Sequence, residues 1–163
     1  MTELKEVKIY TDGASLGNPG PGGYGVVLIH GNHRKELSGG FRLTTNSRME
    51  LMAAIIGLQA LKTKCKVTIY SDSKYLVESF MEGWVYRWRA KGWKKAKNPD
   101  LWKKILELCD QHEVRFEWVH GHAGNPENER CDFLSVQAAQ QKNLPADVTY
   151  EKQMKSSASN LFE

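Results

Sequence analysis

Two segments in which apolar residues recur at every second position each run into an aspartate, and a helical repeat separates them. Val7, Ile9 and Thr11 alternate with Lys8, Tyr10 and Asp12, and residues 66–71 alternate before Asp72. A period of two sends successive side chains to opposite faces of a strand. Between the two segments, from Thr45 to about Leu61, the residues Met49, Met52, Ala53, Ile56 and Ala60 recur at helical spacing behind the capping candidates Thr44, Thr45 and Ser47. A strand, helix, strand crossover places its two strands parallel in one sheet. The chain is thereby confined to an α/β architecture, with Asp12 and Asp72 at the carboxyl ends of strands, where open α/β sheets take their ligands.

The remaining segments fit around that unit. Residues 13–23, rich in Gly, Asn and Pro, read as a turn into a strand over 24–29; Gly31-Asn32 turns again into a strand over 35–41, giving three antiparallel strands. Ser73 caps a short helix, a second helical pattern covers about 84–91, and a basic loop spans 92–98. A further helix follows Asn98, Pro99 and Asp100, with Leu101, Ile105, Leu108 and Cys109 as its apolar stripe. Val114, Phe116 and Trp118 alternate as a fifth strand, a loop covers 120–125, and Pro126 opens a last helix reaching about Lys142. The expectation is a five-stranded mixed sheet flanked by helices, in one domain over residues 1–143. Residues 144–163, polar and Ser-rich, are expected to form a mobile tail.

Composition narrows the setting. A chain of 163 residues with 40% apolar content has material for one core. No stretch of 18 apolar residues occurs, and the opening Thr2, Glu3 and Lys5 do not feed an apolar run. Cys65, Cys109 and Cys131 are odd in number and widely spaced, which suits neither a disulfide framework nor a paired zinc motif. A soluble cytoplasmic protein with reduced thiols is expected. Net charge is only +4, but Arg87, Arg89, Lys91, Lys94, Lys95, Lys97, Lys103 and Lys104 stand against the single acid Asp100, so a local cationic face is expected. Trp84, Trp88, Trp93 and Trp102 interleave with it, as a surface joining phosphate attraction to aromatic contact requires; Trp84 and Trp88, four apart on a helix, suit core packing equally.

Four acids carry the candidate chemistry. Asp12 and Asp72 are placed to meet in the crevice beyond their strands. Glu50 lies three residues after Ser47, so it fits a capping box as well as a site. Asp132 lies four residues after Asn128, on the same face of the last helix. Carboxylates that converge in one crevice repel unless they are protonated or neutralised by cations, and hard oxygen ligands select magnesium or manganese. Nucleases use such sites with two metals for in-line displacement at phosphorus. The loop His120-Gly121-His122-Ala123-Gly124-Asn125 offers a mobile proton carrier beside the crevice. Zinc held by His120, His122 and Cys131 is the competing reading, but no second close ligand pair exists. Gly17 to Gly23 is no nucleotide cradle, because no Gly-Lys-Ser/Thr follows and the next element is a strand.

These residues assemble into a resemblance. Ile9-Tyr10-Thr11-Asp12-Gly13-Ala14, Asn46-Ser47-Arg48-Met49-Glu50, Tyr70-Ser71-Asp72-Ser73 and Val119-His120-Gly121-His122 closely resemble type 1 ribonuclease H, over about residues 7–142. The resemblance implies that Asp12, Glu50, Asp72 and Asp132 hold two magnesium ions, with manganese as substitute. It implies that they catalyse internal hydrolysis of the RNA strand of an RNA/DNA hybrid, leaving 5' phosphate and 3' hydroxyl ends. It implies that His122 assists proton transfer or product departure, with Asn128 a nearby polar residue. Gly13, Ser15, Asn18, Asn46 and Lys74 would lie along the hybrid's minor groove, and Thr45 with Asn46 would form a pocket for a DNA phosphate. The segment from Trp84 through Lys94 and Lys95 to Lys97 resembles the basic protrusion of bacterial-type members, which holds the DNA strand. It suggests a free-standing monomer with no obligate protein partner and no membrane. Lys74, where glutamine is common, and Ser135-Val136 depart from the family pattern.

The substrate class also has a physical basis. Only a 2' hydroxyl separates RNA from DNA at a given nucleotide, and short polar groups with Gly backbone can approach it. A noncatalytic hybrid-binding module would keep the basic, Trp-rich segment and need none of the acids. A 3' to 5' exonuclease or an integrase-like nuclease would share the acidic crevice, and cutting of an end-blocked hybrid separates those readings.

Overall fold

In a computed structural model, which describes residues 3–121 and 124–161, the alternating N-terminal segment is strand β1 (Lys5–Ser15), with Val7, Ile9 and Thr11 buried. Strands β2 (Gly20–His30) and β3 (His33–Thr44) continue it as an antiparallel meander. Helix α1 (Asn46–Gln59) crosses to β4 (Cys65–Ser71), which pairs parallel to β1 from Lys5↔Cys65 to Thr11↔Ser71. Helices α2 (Lys74–Met81), α3 (Trp84–Ala90) and α4 (Pro99–Cys109) lead to β5 (Glu113–Trp118), parallel to β4; α5 (Pro126–Ala139) and α6 (Val148–Leu161) follow. The strand order is β3-β2-β1-β4-β5, the mixed five-stranded sheet that the crossover requires.

Strand β2 is buried on both faces from Gly25 to Leu28, and the alternation sorts the residues. Val26 joins the larger core with Ile9, Leu51, Leu58, Ile69, Leu76, Trp102 and Ile105, whereas its neighbour Val27 faces Cys131 and Leu134 of α5. Each fully buried Ile or Leu contributes about 1.5–3 kcal/mol from its area removed from water. Trp102, expected in the basic aromatic surface, is fully buried, its indole N–H donating to the Tyr75 hydroxyl at 3.0 Å. Trp88 and Trp93 also pack against this core.

The glycine-rich stretch behaves differently from expectation. Only residues 16–19 turn; β1 runs past Asp12 to Ser15, opposite Gly22 to Gly25 of β2. Here the glycines serve close approach rather than turning. A Cβ on Gly13 would strike the backbone of Met49 and Glu50, and one on Gly25 would strike the carbonyl of Cys131 and come within 2.9 Å of the Leu134 Cβ. Helices α1 and α5 therefore rest directly on β1 and β2. Asp12 still stands at the carboxyl end of the parallel unit, because β4 stops opposite Thr11.

Residues 144–163 were expected to be a mobile tail, and the described part, residues 144–161, instead returns to the fold with α6 over Val148–Leu161. The Arg42 N–H donates to the Pro145 carbonyl at 2.9 Å, and Arg42 pairs with Glu151 at 2.9 Å. Buried Asp147 accepts from the Thr44 hydroxyl and from Arg48 Nε, each at 2.7 Å. Arg48, only 1% exposed, also donates to Asp100 at 2.7 Å. Burial alone would disfavour its charge, but the hydrogen bonds to Asp100 and Asp147 hold its pKa above the ordinary value. The anchors of this segment are polar, so a search for apolar residues misses them.

The glycine packing predicts a contrast. Gly25→Ala should destabilise by about 1–3 kcal/mol, the usual range for overpacking against groups that cannot give way. Gly31 has φ 57° with open space around it, so Gly31→Ala should cost only about 1–2 kcal/mol from its left-handed backbone. Urea unfolding midpoints of the two variants check this, and equal behaviour at Gly25 and wild type would contradict the packing argument.

Candidate active site

Three elements bring acids to one point. Asp12 sits on β1 with its Oδ1 accepting the Gly13 N–H at 2.9 Å. Glu50 projects from α1, brought close because Gly13 carries no side chain. The helix is capped by Thr45, whose side chain accepts the Arg48 N–H at 3.2 Å, so Ser47 is not the cap and Glu50 is no capping-box partner. Asp72 follows β4, where Ser73 caps α2 by accepting the Leu76 N–H at 3.2 Å. Carboxylate oxygens of Asp12, Glu50 and Asp72 all lie within 4.8 Å of one another. Asp132, on α5, stands outside that trio but close enough to Asp12 to raise its proton affinity.

The electrostatics follow from burial and like charge. Asp12 is pushed up to about 8 from 3.8, first by burial and then by the Asp72 charge, against the opposing Gly13 hydrogen bond. Glu50 is held well above the usual carboxylate range, again by burial first and then by Asp12 and Asp72. Its Oε2 is buried without a hydrogen-bond partner among the described residues. A buried carboxylate oxygen that lacks a donor and faces two further carboxylates is what a hard divalent cation requires, and the all-oxygen donor set suits magnesium or manganese rather than zinc.

Gly121, beyond β5, passes beside Asp72. A Cβ on Gly121 would come within 2.7 Å of Asp72 Oδ2, so the backbone can pass there only without a side chain. The Trp118 indole N–H donates to the Asp72 carbonyl at 3.2 Å, a support that the alternation of β5 did not reveal. His122 lies outside the described residues.

The other expected residues fall in two groups. Gly13 and Ser15 extend along β1, and Asn18 in the following turn accepts the Asn46 N–H at 3.0 Å through Oδ1, joining that turn to Thr45 and Asn46 at the start of α1. Lys74 opens α2, exposed, with its ammonium 5.4 Å from the centre of the Trp118 ring. Asn128 is buried in the first turn of α5, its N–H capped by Asn125 at 3.0 Å and its Nδ2 without a partner among the described residues. The departure at Ser135 is accommodated locally, since its hydroxyl donates to the Asp132 carbonyl at 2.7 Å. The second group is the basic segment. Trp84 opens α3 half-buried, and Lys94, Lys95 and Lys97 are exposed beyond it, with the Tyr75 hydroxyl of α2 donating to the Lys97 carbonyl at 3.4 Å.

A stability test follows from the Asp12 shift. Its folded-state pKa exceeds its unfolded value, so the folded protein retains a proton that the unfolded chain releases. Stability is therefore lost as pH rises from about 4 towards about 8, the window set by the shift from 3.8 to about 8. Urea unfolding in chelator at pH 5 and pH 8 should show this loss, and Asp12→Asn should flatten it and be the more stable protein at pH 8. A wild type equally stable at both values would refute the cluster's strain.

Comparison with known proteins places this geometry. The RNase H family model matches residues 4–140. The chain is 65% identical over 152 residues to a ribonuclease H of Rippkaea orientalis, covering 90% of this chain and 93% of that protein. It is 64% identical over 151 residues to a ribonuclease H of Syntrophus aciditrophicus, covering 90% and 87%. Among solved structures it is similar to LC9-RNase H1, a type 1 RNase H with the type 2 active-site motif, at TM-score 0.77 and 32% identity over 85% of this chain and 74% of that one. It is also similar to LC11-RNase H1, solved in complex with an RNA/DNA hybrid, at TM-score 0.62 and 27% identity over 82% and 96%. With its carboxylates gathered where β1, α1 and β4 meet, and its sequence matched nearly end to end, the chain belongs to the type 1 ribonuclease H family.

Proposed function

We propose that this chain is an endonuclease that hydrolyses the RNA strand of RNA/DNA hybrids with two divalent cations, magnesium with manganese as a substitute, leaving 5' phosphate and 3' hydroxyl ends. The observation that carries the reading is the convergence of Asp12, Glu50 and Asp72 within 4.8 Å, beside an orphaned Glu50 Oε2. Bound cations supply Lewis-acid charge, activating water and stabilising the leaving oxygen. Asp12, Glu50, Asp72 and Asp132 would hold the cations. The four carboxylates fix the donors before substrate arrives, so the transition-state charge meets a site that needs no further ordering. His122, on the loop whose Gly121 passes Asp72, acts as the proton carrier for the departing 3' oxygen.

Substrate choice rests on the surface beside the acids. Gly13, Ser15, Asn18 and Asn46 present short polar groups and bare backbone to a groove where the 2' hydroxyl is read. Thr45 and Asn46, at the positive end of α1, receive a DNA phosphate. Asn128 and Lys74 border the site. Trp84, Lys94, Lys95 and Lys97 hold the DNA strand through phosphate charge and aromatic contact. A cytoplasmic monomer is proposed as well. The three free cysteines suit a reducing compartment, and no helix among the described residues is long and apolar enough to cross a membrane.

Asp12→Asn should abolish cleavage of an end-blocked hybrid in magnesium while hybrid binding persists, because the shape is kept and the ligand charge removed. The assay runs beside a chelator control and an all-DNA duplex. Full cleavage by the variant would falsify the carboxylate assignment, and equal cutting of the DNA duplex would remove the substrate claim. Replacing Lys94, Lys95 and Lys97 together by Ala should weaken hybrid binding and lower the log-log salt slope by about 0.7–0.9 for each phosphate no longer neutralised. Turnover at saturating hybrid should survive, and an unchanged salt slope would show that these lysines face away from the nucleic acid.

A further inference from the structure

A single carboxylate from the C-terminal segment grips both sides of the turn that starts α1. Asp147 Oδ2 accepts the Thr44 hydroxyl and Arg48 Nε, each at 2.7 Å, and Oδ1 accepts Arg48 Nη2 at 3.0 Å. Thr44 ends β3 and Arg48 lies in the first turn of α1, so the residues between these two grips are Thr45, Asn46 and Ser47. All of the gripping groups are buried: Thr44 is 0%, Arg48 1% and Asp147 5% exposed. Charge-assisted bonds among groups shielded from water are strong and leave little freedom of orientation.

We propose that Asp147 is a positioning residue for the Thr45-Asn46 phosphate pocket, so that the C-terminal segment that carries it sets substrate affinity. The inference rests on the proposed hybrid-cleaving function for its activity readout. Three constraints converge on the pocket. The Thr45 side chain is held by the Arg48 N–H at 3.2 Å, the Asn46 N–H by Asn18 Oδ1 at 3.0 Å, and the flanking side chains of Thr44 and Arg48 by Asp147. Arg48 is held from its far side by Asp100 at 2.7 Å, so it cannot follow if Asp147 lets go. Without the Asp147 carboxylate, Thr44 loses its acceptor and the link from β3 to α1 loosens. Glu50 lies farther along α1 and is held independently by the packing of α1 on Gly13. Loss of Asp147 therefore weakens capture of the hybrid more than the chemical step.

The test uses full-length Asp147→Asn and Thr44→Val, the second a near-isosteric change that removes one grip and leaves the Arg48 pair intact. Both are assayed at a temperature where circular dichroism shows wild-type folding, on an end-blocked hybrid in magnesium. Asp147→Asn should raise KM about tenfold with kcat within about twofold of wild type, the scale on which small misplacements of binding groups act. Thr44→Val should move KM in the same direction by less. Amide hydrogen exchange on the protein alone should quicken at residues 45–49 while β1 and β4 keep their protection. KM unchanged in both folded variants, or exchange quickened uniformly across the sheet, would reduce Asp147 to a general stabiliser and overturn the proposal. If Asp147→Asn does not fold, Thr44→Val alone decides on the same two criteria. Wild type that fails to cut the hybrid would defeat the functional reading, while the exchange pattern would still judge the positioning.

Discussion

Mutual repulsion among buried carboxylates is the constraint on which the rest of this molecule depends. Buried Asp12 and Glu50 and half-buried Asp72 come within 4.8 Å of one another, and burial with neighbouring charge pushes Asp12 up to about 8. Such an arrangement opposes folding unless protons or cations neutralise it. The fold therefore has to hold three elements together at the place where they would most readily separate. Stability given up at that point is the usual accompaniment of a site preorganised for charge.

Two devices do the holding. Glycines on β1 and β2 let helices rest on bare backbone, so that α1 approaches Gly13 and α5 approaches Gly25 with no layer of side chains between. The second device is the buried Arg48, which ties α1 to Asp100 at the start of α4 and to Asp147 before α6. A buried ion pair is a costly way to gain stability, because desolvation offsets most of the attraction. Its geometric demands are strict, however, and here they fall on the turn adjoining the acidic centre.

The acids and the basic segment are carried on different elements. The acids sit at the carboxyl ends of the parallel strands, whereas the cations are carried on α3 and the turns after it, held to α2 through Tyr75. Positive φ at Trp93, Lys95 and Asn98 shows how tightly this basic segment is folded back on itself.

Much of this is legible in residues 1–163 taken in order. The alternation around Ile9 and Ile69, with the helical repeat between, determined a parallel pair and therefore where Asp12 and Asp72 meet, because side-chain period and crossover geometry are local properties. The Gly-flanked His120 loop and the basic run before α4 are legible for the same reason, although His122 falls outside the described residues. Glu50 is ambiguous by spacing, since Ser47-x-x-Glu50 satisfies a capping pattern; only the assembled helix, capped by Thr45, showed which way it points. Trp102 and the segment after residue 143 depart from what the sequence suggests. A tryptophan among lysines carries no mark of which face it will take, and a polar segment carries no mark that its one aspartate will meet an arginine 99 residues away. Sequence determined the elements and the chemistry they bear, whereas tertiary packing decided burial, because whether a charge is buried depends on partners that only folding supplies.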